Sequence, residues 1–353
     1  MALRESAQEL SPPWQSTRRG RLDRLVVESD LLADNPLGDS PVRPLMVYLP
    51  PELAEADAPR AAPTIYLLQG YTGRLDLWAN RQPFEGNLLD RLDAMFAAQE
   101  CPPAVIVFVD AWTRLGGSQF LNSTSTGRYQ DYLCDEVVPF VDGRYPTLAD
   151  RAHRGIAGKS SGGYGAMVVT MLRPDVFGAL ASHAGDALFE VSMQRSFPQV
   201  VRLLRDHFEG SYEAFFAALP EVDPFRFEVH GALLEMYAYA ACYSPDPERP
   251  GRALLPFDPA TGQLVEAVWE QWLRWDPVRL VPRHLEALRG LRRIYLDAGR
   301  SDEYYLDLGA QAVSAELARG GIEHTLELFD GGHGGITYRY PGAIRELVLA
   351  LEP

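Results

Sequence analysis

The chain has 353 residues and a formal net charge of −15, and an acidic protein of this kind is repelled by nucleic acid and by anionic membrane surfaces. We therefore expect no nucleic-acid and no membrane partner, and a small-molecule substrate that is neutral or held by a local arginine. The length and the 46% hydrophobic content provide a sizeable core, enough for one large α/β domain or two smaller ones.

Cysteine usage and the N-terminal composition predict the compartment. Cys101, Cys134 and Cys242 are scattered and form no C-x-x-C pair, which predicts a reducing environment and neither a metal nor a redox site. Residues 1–15 contain no apolar stretch of signal-peptide length, and no run anywhere is long enough to span a bilayer. We expect a cytoplasmic protein, and the sequence leaves a homo-oligomer open.

Strands and helices are predicted to alternate along the chain. Residues 1–20 are polar and contain proline, which predicts a flexible arm before a single domain over 21–353. The predicted strands are 22–27, 44–49, 64–68, 104–109, 155–157, 179–183, 293–298 and 324–329. The predicted helices between them are 88–99, 129–141, 164–172 and 304–319. Because the middle strands are continuous apolar runs, we predict an α/β fold with a mostly parallel eight-stranded sheet and helices on both faces.

An insertion of about a hundred residues, 186–291, separates the sixth and seventh predicted strands. It is rich in aromatic residues and contains helix-like pieces at 199–207, 212–218 and 265–274. An insertion at this point lies over the carboxyl edge of the strands, where open α/β sheets bind ligands. We interpret it as a helical, cap-like segment over the site, with a purely structural elaboration as the alternative.

The most informative motif follows the fifth predicted strand and reads Gly158-Lys159-Ser160-Ser161-Gly162. A G-x-S-x-G turn between a strand and a helix exposes its serine near a helix N-terminus, so Ser160 is the candidate nucleophile. The letters Gly-Lys-Ser also end phosphate-binding loops, but those need a glycine where this chain has His153. The sequence therefore favours a serine hydrolase over a nucleotide-binding protein.

A serine nucleophile needs a histidine base and a carboxylate that orients it. His333 follows the last predicted strand in a glycine-rich loop, and His183, at the end of the sixth, is the reserve candidate. Asp302 follows the seventh strand just before a helix, with Asp297 and Asp330 as rivals. The chain order serine, aspartate, histidine is that of the α/β-hydrolases.

Two backbone amides are predicted to form an oxyanion hole, one from Ser161 and one from Tyr71, which follows the sharp turn at Gly70. The loop after the fourth strand overhangs the same edge. Its Trp112 and Arg114 are candidates to hold an apolar acyl group and a polar or anionic end of the substrate, with plain loop packing as the alternative.

On these motifs the chain resembles the putative esterase family, which includes S-formylglutathione hydrolase (esterase D), the antigen 85 mycolyltransferases, feruloyl esterases and enterochelin-esterase-like proteins. The residues that carry the resemblance are Val47-Tyr48-Leu49-Pro50-Pro51, Gln69-Gly70-Tyr71, Asp110-Ala111-Trp112, 158–166, 299–302 and Gly332-His333. It implies an α/β-hydrolase fold, a Ser160–His333–Asp302 triad and hydrolysis of carboxylic esters without a cofactor or a metal. Family members usually have histidine where this chain has Gln69. Gln69 and Tyr164 complete the predicted substrate contacts.

The predicted function is that of a serine carboxylesterase acting through an acyl-enzyme. The alternatives are acyl transfer or amide cleavage on the same triad, and a catalytically silent binding protein with a hydrolase fold. Lys159, at the position before the serine, is the only lysine in the chain. It is either a survivor of a coding bias toward arginine or a charge placed beside the nucleophile.

Overall fold

The computed structural model describes residues 18–55, 60–80 and 85–353. Most of the predicted arm, 1–17, therefore lies outside the described residues. Its described end is attached to the protein, because the backbone amides of Arg19 and Gly20 donate to the carboxylate of Asp93 at 2.6–3.1 Å.

Eight strands form one sheet, as predicted. They are β1 (Arg21–Glu28), β2 (Val42–Leu49), β3 (Thr64–Leu68), β4 (Val105–Val109), β7 (Arg154–Lys159), β8 (Ala179–His183), β9 (Arg293–Gly299) and β10 (Thr325–Phe329). The order across the sheet is β1-β2-β4-β3-β7-β8-β9-β10. Within the described part of this sheet, β2 pairs antiparallel with β1 and with β4, and the other neighbouring strands are parallel. Two further strands of two residues each, β5 (Asn122–Ser123) and β6 (Gly127–Arg128), pair with each other in a separate sheet. They are too short to leave a periodic signal in the sequence.

The apolar runs of the central strands are buried because both faces of the sheet are covered. Along β3, Ile65 and Leu67 pack with one cluster of buried side chains, whereas Tyr66 and Leu68 pack with another on the opposite face. This alternation places every residue of β3 in the interior. The predicted α/β class, with helices on both faces, is confirmed.

The helices lie between these strands. They are α1 (Pro51–Ala54), α2 (Asp76–Ala79), α3 (Leu88–Ala97), α4 (Tyr129–Asp131), α5 (Val138–Arg144), α6 (Ser161–Leu172), α7 (Phe189–Ser192), α8 (Phe197–His207), α9 (Tyr212–Ala218), α10 (Ala232–Tyr243), α11 (Glu266–Leu273), α12 (Pro277–Leu280), α13 (Leu285–Arg289), α14 (Leu306–Arg319) and α15 (Tyr340–Leu351). Wider π-helical turns occupy Tyr132–Val137 and Phe227–Gly231. Short 3-10 turns occupy Arg151–His153, Gln194–Ser196, Leu219–Glu221, Val281–Arg283 and Ile336–Arg339.

The predicted helices 88–99 and 164–172 are observed at Leu88–Ala97 and Ser161–Leu172, and the other two differ from their predictions for local reasons. The predicted helix 129–141 is interrupted by a π-helical turn just before Pro139, whose ring nitrogen cannot donate a hydrogen bond to the preceding turn. The predicted helix 304–319 begins only at Leu306, because Tyr305 adopts a left-handed conformation with φ of 60° that no α-helix contains.

Residues 186–291 contain helices α7–α13 and share a core with the sheet. Phe215 and Trp272 from this segment belong to the same buried cluster as Tyr66 and Ile156 from the strands. Helix α10 escaped sequence prediction because it is apolar on all sides and lacks the amphipathic period that marks a surface helix. That the whole segment 186–291 caps the site stays a prediction.

Within the described ranges, no helix is both long and apolar enough to cross a bilayer. The same residues contain no group of three histidine, cysteine or acidic side chains that could hold a metal ion. The three cysteines are buried and free.

Candidate active site

Ser160 occupies a strained turn between the end of β7 and the start of α6. Its backbone has φ of 57° and ψ of −126°, a conformation that costs energy in a residue with a side chain. The neighbouring chain holds it there: the Ser160 amide donates to the carbonyl of His183 at 3.0 Å, and the Ser160 carbonyl accepts from the Tyr164 amide at 2.8 Å. The hydroxyl is thereby presented at the carboxyl edge of the sheet.

The glycines of the motif are required by close packing around this turn. A Cβ atom on Gly158 would lie 2.4 Å from the carbonyl carbon of Gly162, and a Cβ atom on Gly162 would lie 2.3 Å from the carbonyl oxygen of Leu68. Neither distance accommodates a methyl group, so the tight strand–turn–helix depends on glycine at both positions.

His333 and Asp302 come from the loops that follow β10 and β9, and their side chains are paired. The Nδ1 atom of His333 lies 2.8 Å from Oδ2 of Asp302. The second carboxylate oxygen accepts from the amide of Tyr304 at 2.9 Å. Because a carboxylate only accepts, Nδ1 carries a proton in this pair and Nε2 is left as the basic atom of the ring.

The electrostatics of Asp302 favour its ionised form. Burial raises the pKa of this carboxyl group, but the hydrogen bond and charge of His333, together with the backbone amides of Tyr304 and Leu306, outweigh burial and hold the pKa below its usual value. A further contact fixes the loop, since the His333 amide donates to the Glu303 carboxylate at 2.8 Å. Glu303 carried no signal in the sequence beyond its position beside Asp302.

Ser160 and His333 line one cavity of about 350 Å³. The other lining residues are Gln69, Gly70, Tyr71, Thr72, Gly73, Leu77, Trp78, Lys159, Phe227, Glu235, Tyr304, Gly335, Ile336, Thr337 and Tyr340. The structure thus brings Ser160 and the His333–Asp302 pair to the same place from loops far apart in the chain.

Of the two residues whose amides are predicted to stabilise an oxyanion, Tyr71 lines this cavity, and Ser161 lines a small neighbouring pocket to which Tyr71 also belongs. A Cβ atom on Gly70 would lie 3.4 Å from Cβ of Ser160, so the turn before Tyr71 passes directly beside the serine. Thr72 and Gly73 donate their amides to other carbonyls of the chain, whereas the Tyr71 amide has no acceptor among the described residues. Ser161 is the first residue of α6, where an amide has no partner within the helix.

The side chains of Tyr71 and Gln69 support the same turn. The Tyr71 hydroxyl donates to the Leu115 carbonyl at 3.0 Å, and its ring lies against Gly116, which has φ of 100°. The Gln69 amide donates to the Arg74 carbonyl at 2.7 Å. Both residues line the cavity, so a substrate there would meet them.

The remaining predicted substrate contacts are placed elsewhere. Trp112 is partly exposed and lines a small neighbouring pocket with Tyr71 and Ser161. Arg114 lies outside the cavity lining because it binds Asp39, with 3.4 Å between Nε and Oδ1. Tyr164 is fully buried on α6, and its hydroxyl donates to the Trp275 carbonyl at 3.1 Å.

The rival histidine and aspartate form a second pair behind the turn. The Nδ1 atom of His183 lies 2.7 Å from Oδ1 of Asp297, and both side chains are fully buried. Arg339, which follows the His333 loop, donates a hydrogen bond from Nε to the other carboxylate oxygen of Asp297 at 3.0 Å. Asp330, the third candidate acid, is fully exposed and only 3.8 Å from the Nε atom of Arg300. His183 contributes its carbonyl to the Ser160 turn, whereas its ring lies against Tyr340.

Sequence reasoning missed the residues that the insertion contributes to the cavity. Phe227 and Glu235 reach it from the π-helical turn and from α10, and neither belongs to a recognisable motif. Burial, reinforced by the charge of Asp186, raises the pKa of Glu235 to about 7. Phe227, Glu235 and Tyr304 also line an adjoining chamber of about 210 Å³, so the two cavities share a wall.

The strand order of the sheet, with its serine turn after the fifth sheet strand, defines an α/β-hydrolase fold. The sequence profile of the Putative esterase family matches residues 42–340, which is most of the chain. The protein belongs to this family.

Individual relatives are more distant. The chain is 27% identical over 116 residues to an endo-1,4-beta-xylanase/feruloyl esterase of Xylanibacter ruminicola, a match that covers 33% of this chain and only 15% of that longer protein. Among solved structures it is similar to a ferulic acid esterase, with 17% identity, a TM-score of 0.58, and 95% and 100% of the two chains covered. It is similar to an S-formylglutathione hydrolase from Agrobacterium tumefaciens, with 16% identity, a TM-score of 0.57, and 96% and 98% covered. It is also similar to a fluorophosphonate-binding serine hydrolase of Staphylococcus aureus, with 15% identity, a TM-score of 0.56, and 95% and 99% covered.

Proposed function

We propose that the protein is a serine carboxylesterase that hydrolyses small carboxylic esters through an acyl-enzyme on Ser160. The observation that carries the proposal is the meeting of a serine on a strained turn and a paired histidine and aspartate at one cavity. Membership of the Putative esterase family supports the same chemistry.

In the acylation half of the proposed reaction, the Ser160 hydroxyl attacks the ester carbonyl while Nε2 of His333 accepts its proton. Asp302 accepts a hydrogen bond from Nδ1 of His333 and stabilises the imidazolium that forms. The amides of Tyr71 and Ser161 donate to the oxygen of the tetrahedral intermediate. His333 then protonates the leaving alcohol, and the acyl group remains on Ser160.

In the deacylation half, a water molecule takes the place of the alcohol. His333 accepts a proton from this water as it attacks the acyl carbonyl, and the same two amides stabilise the second tetrahedral intermediate. Collapse of that intermediate returns the proton to the Ser160 oxygen and releases the carboxylic acid. Hydrolysis on this scheme requires no cofactor.

We further propose that the segment 186–291 caps the site, because Phe227 and Glu235 from this segment form part of the cavity wall. The names of the similar structures, a ferulic acid esterase and an S-formylglutathione hydrolase, make aromatic acyl esters and small thioesters the first substrates to assay.

The proposal is tested by turnover of 4-nitrophenyl acetate. Replacing Ser160→Ala should lower kcat by at least about a thousandfold, since the nucleophile is lost while binding is retained. Ser301→Ala is the matched control: this exposed serine is in the loop beside Asp302, and its hydroxyl makes no hydrogen bond within the described ranges. Equal loss in both variants, or none in either, contradicts the assignment.

A further inference from the structure

We propose that Lys159 makes the active site selective for esters that carry an anionic group, such as a carboxylate, close to the scissile bond. The inference rests on the proposed esterase function and names its substrate class. Lys159 precedes the nucleophile, lines the cavity with Ser160 and is half-buried. It is also the only lysine beside 32 arginines in the chain.

The ammonium group of Lys159 has no partner in the described part of the protein. Among residues 18–55, 60–80 and 85–353, no carboxylate oxygen lies within 4 Å of its Nζ atom and no hydrogen bond joins Nζ to another residue, whereas many of the arginines are paired. A half-buried cation without a partner is costly, and an anionic ligand in the cavity would offset that cost.

The carboxylates nearest to Lys159 are already bound to other donors. Its electrostatic neighbours are Asp302, Glu303 and Asp186. Asp302 accepts from the His333 ring, and Glu303 accepts from the His333 amide. Asp186 accepts from the Gln119 side chain at 3.0 Å and from the Ser161 hydroxyl at 3.3 Å. The three N–H donors of the ammonium are therefore available to a substrate.

The balance of charge around the site strengthens this assignment. Burial lowers the pKa of Lys159 below its usual value even though the three carboxylates act in the opposite direction, and an anionic ligand beside the ammonium would oppose that shift. The protein as a whole is acidic, with a net charge of −15, so it repels anions at long range. A substrate anion held here would be selected by a short-range, charge-assisted hydrogen bond rather than by the overall field.

The test compares pairs of esters that differ only in charge. One pair carries the charge on the acyl side: the mono-4-nitrophenyl ester of glutarate and its neutral glutaramate analogue. The other carries it on the alcohol side: the acetyl esters of 3-hydroxybenzoate and of 3-hydroxybenzamide. The selectivity is the ratio of kcat/KM for the anionic ester to kcat/KM for its neutral partner.

Lys159→Met should lower this selectivity by about tenfold or more in at least one pair, through KM, because a charge-assisted hydrogen bond to the substrate is lost. Lys159→Arg keeps the positive charge and should therefore retain most of the selectivity for the anionic ester. Arg300→Met removes a positive charge from an exposed side chain outside the cavity lining and should leave the selectivity unchanged.

Two results would overturn the inference. The first is an unchanged selectivity in both pairs after Lys159→Met; if kcat/KM then falls equally for neutral and anionic esters, the ammonium acts on the catalytic groups. The second is a loss of selectivity after Arg195→Met instead, since Arg195 is the cation in the adjoining chamber.

A binding measurement keeps this question separate from the esterase proposal. Calorimetry of glutarate with the Ser160→Ala protein should give a Kd that rises about tenfold or more when Lys159→Met is added. Failure of all ester turnover with this Kd shift intact would count against the esterase function alone. Normal turnover without the shift would count against the anion site alone.

Discussion

The Nδ1 atom of His333 lies 2.8 Å from the carboxylate of Asp302, which is fully buried, while the histidine side chain remains 13% exposed at the cavity. This difference in burial assigns the two residues different tasks. The aspartate is fixed by backbone amides and cannot reach solvent, whereas the ring can meet both Ser160 and a substrate.

Asp302→Asn should therefore lower kcat for 4-nitrophenyl acetate by about 10⁴-fold near neutral pH, since an amide can donate to Nδ1 and favour the wrong tautomer of His333. Steady-state kinetics on the purified variant give this value, and circular dichroism verifies that it is folded. A kcat within tenfold of the wild-type value would contradict the proposed role of Asp302.

Asp297→Asn should instead affect stability. Asp297 is fully buried between His183 and Arg339, and burial raises its pKa while the charges and hydrogen bonds of these two partners outweigh burial and lower it. Breaking such a buried ionic network costs about 3–5 kcal/mol. Urea denaturation measures the loss, and the folded fraction should still react with a fluorophosphonate. An Asp297→Asn protein that is stable but unreactive would transfer the catalytic role to this second pair.

Glu235 should make the stability of the protein depend on pH. Its folded pKa of about 7 lies above the ordinary value of 4.5, so the folded state binds the proton more tightly than the unfolded state. Its contribution to stability is fully present below about pH 4.5 and is lost as the pH rises through about 7, by about 3 kcal/mol in all. Glu235→Gln should abolish this loss in denaturation curves recorded between pH 5 and 8. If the free energy of unfolding falls equally with pH in the wild-type and Glu235→Gln proteins, the prediction is refuted.

Gly70→Ala should impair the oxyanion site without unfolding the protein. The added Cβ atom would lie 3.1 Å from the Lys159 carbonyl and 3.4 Å from Cβ of Ser160, so the turn that presents the Tyr71 amide must shift. We expect kcat to fall about tenfold to a hundredfold, somewhat less than for complete loss of one oxyanion donor. Gly143→Ala is the control, because nothing lies within 4 Å of its added Cβ atom. Equal activity in both variants would place the oxyanion elsewhere.

The sheet and the positions of the candidate residues could be predicted because their signals are local. Buried parallel strands leave apolar runs, as before Ser160 and Asp302, whereas the strand before His333 is a half-buried edge strand with alternating apolar residues. Each of the three residues follows its strand at a turn rich in glycine or polar residues. Parallel strands bring their carboxyl ends to one edge of the sheet, so residues far apart in the chain meet without any further information.

The walls of the site could not be predicted because they depend on tertiary contacts. Arg114 is held by Asp39, 75 residues away, and Tyr164 lies on a helix that is buried on all sides, so no periodicity shows which way it faces. Glu235 reaches the cavity from an apolar helix of the insertion, and no motif marks it. The partner of a surface charge and the inner face of an all-apolar helix are fixed only by packing.

The most direct test of the account is to trap the acyl-enzyme. The wild-type protein is mixed with 4-nitrophenyl acetate, quenched in acid within the first turnovers, digested and analysed by mass spectrometry. We predict one acetyl group on the peptide that contains Ser160, assigned to that residue by fragmentation and absent from Ser160→Ala. Turnover with no acylated Ser160, or with the acetyl group on another residue, would contradict the proposed mechanism.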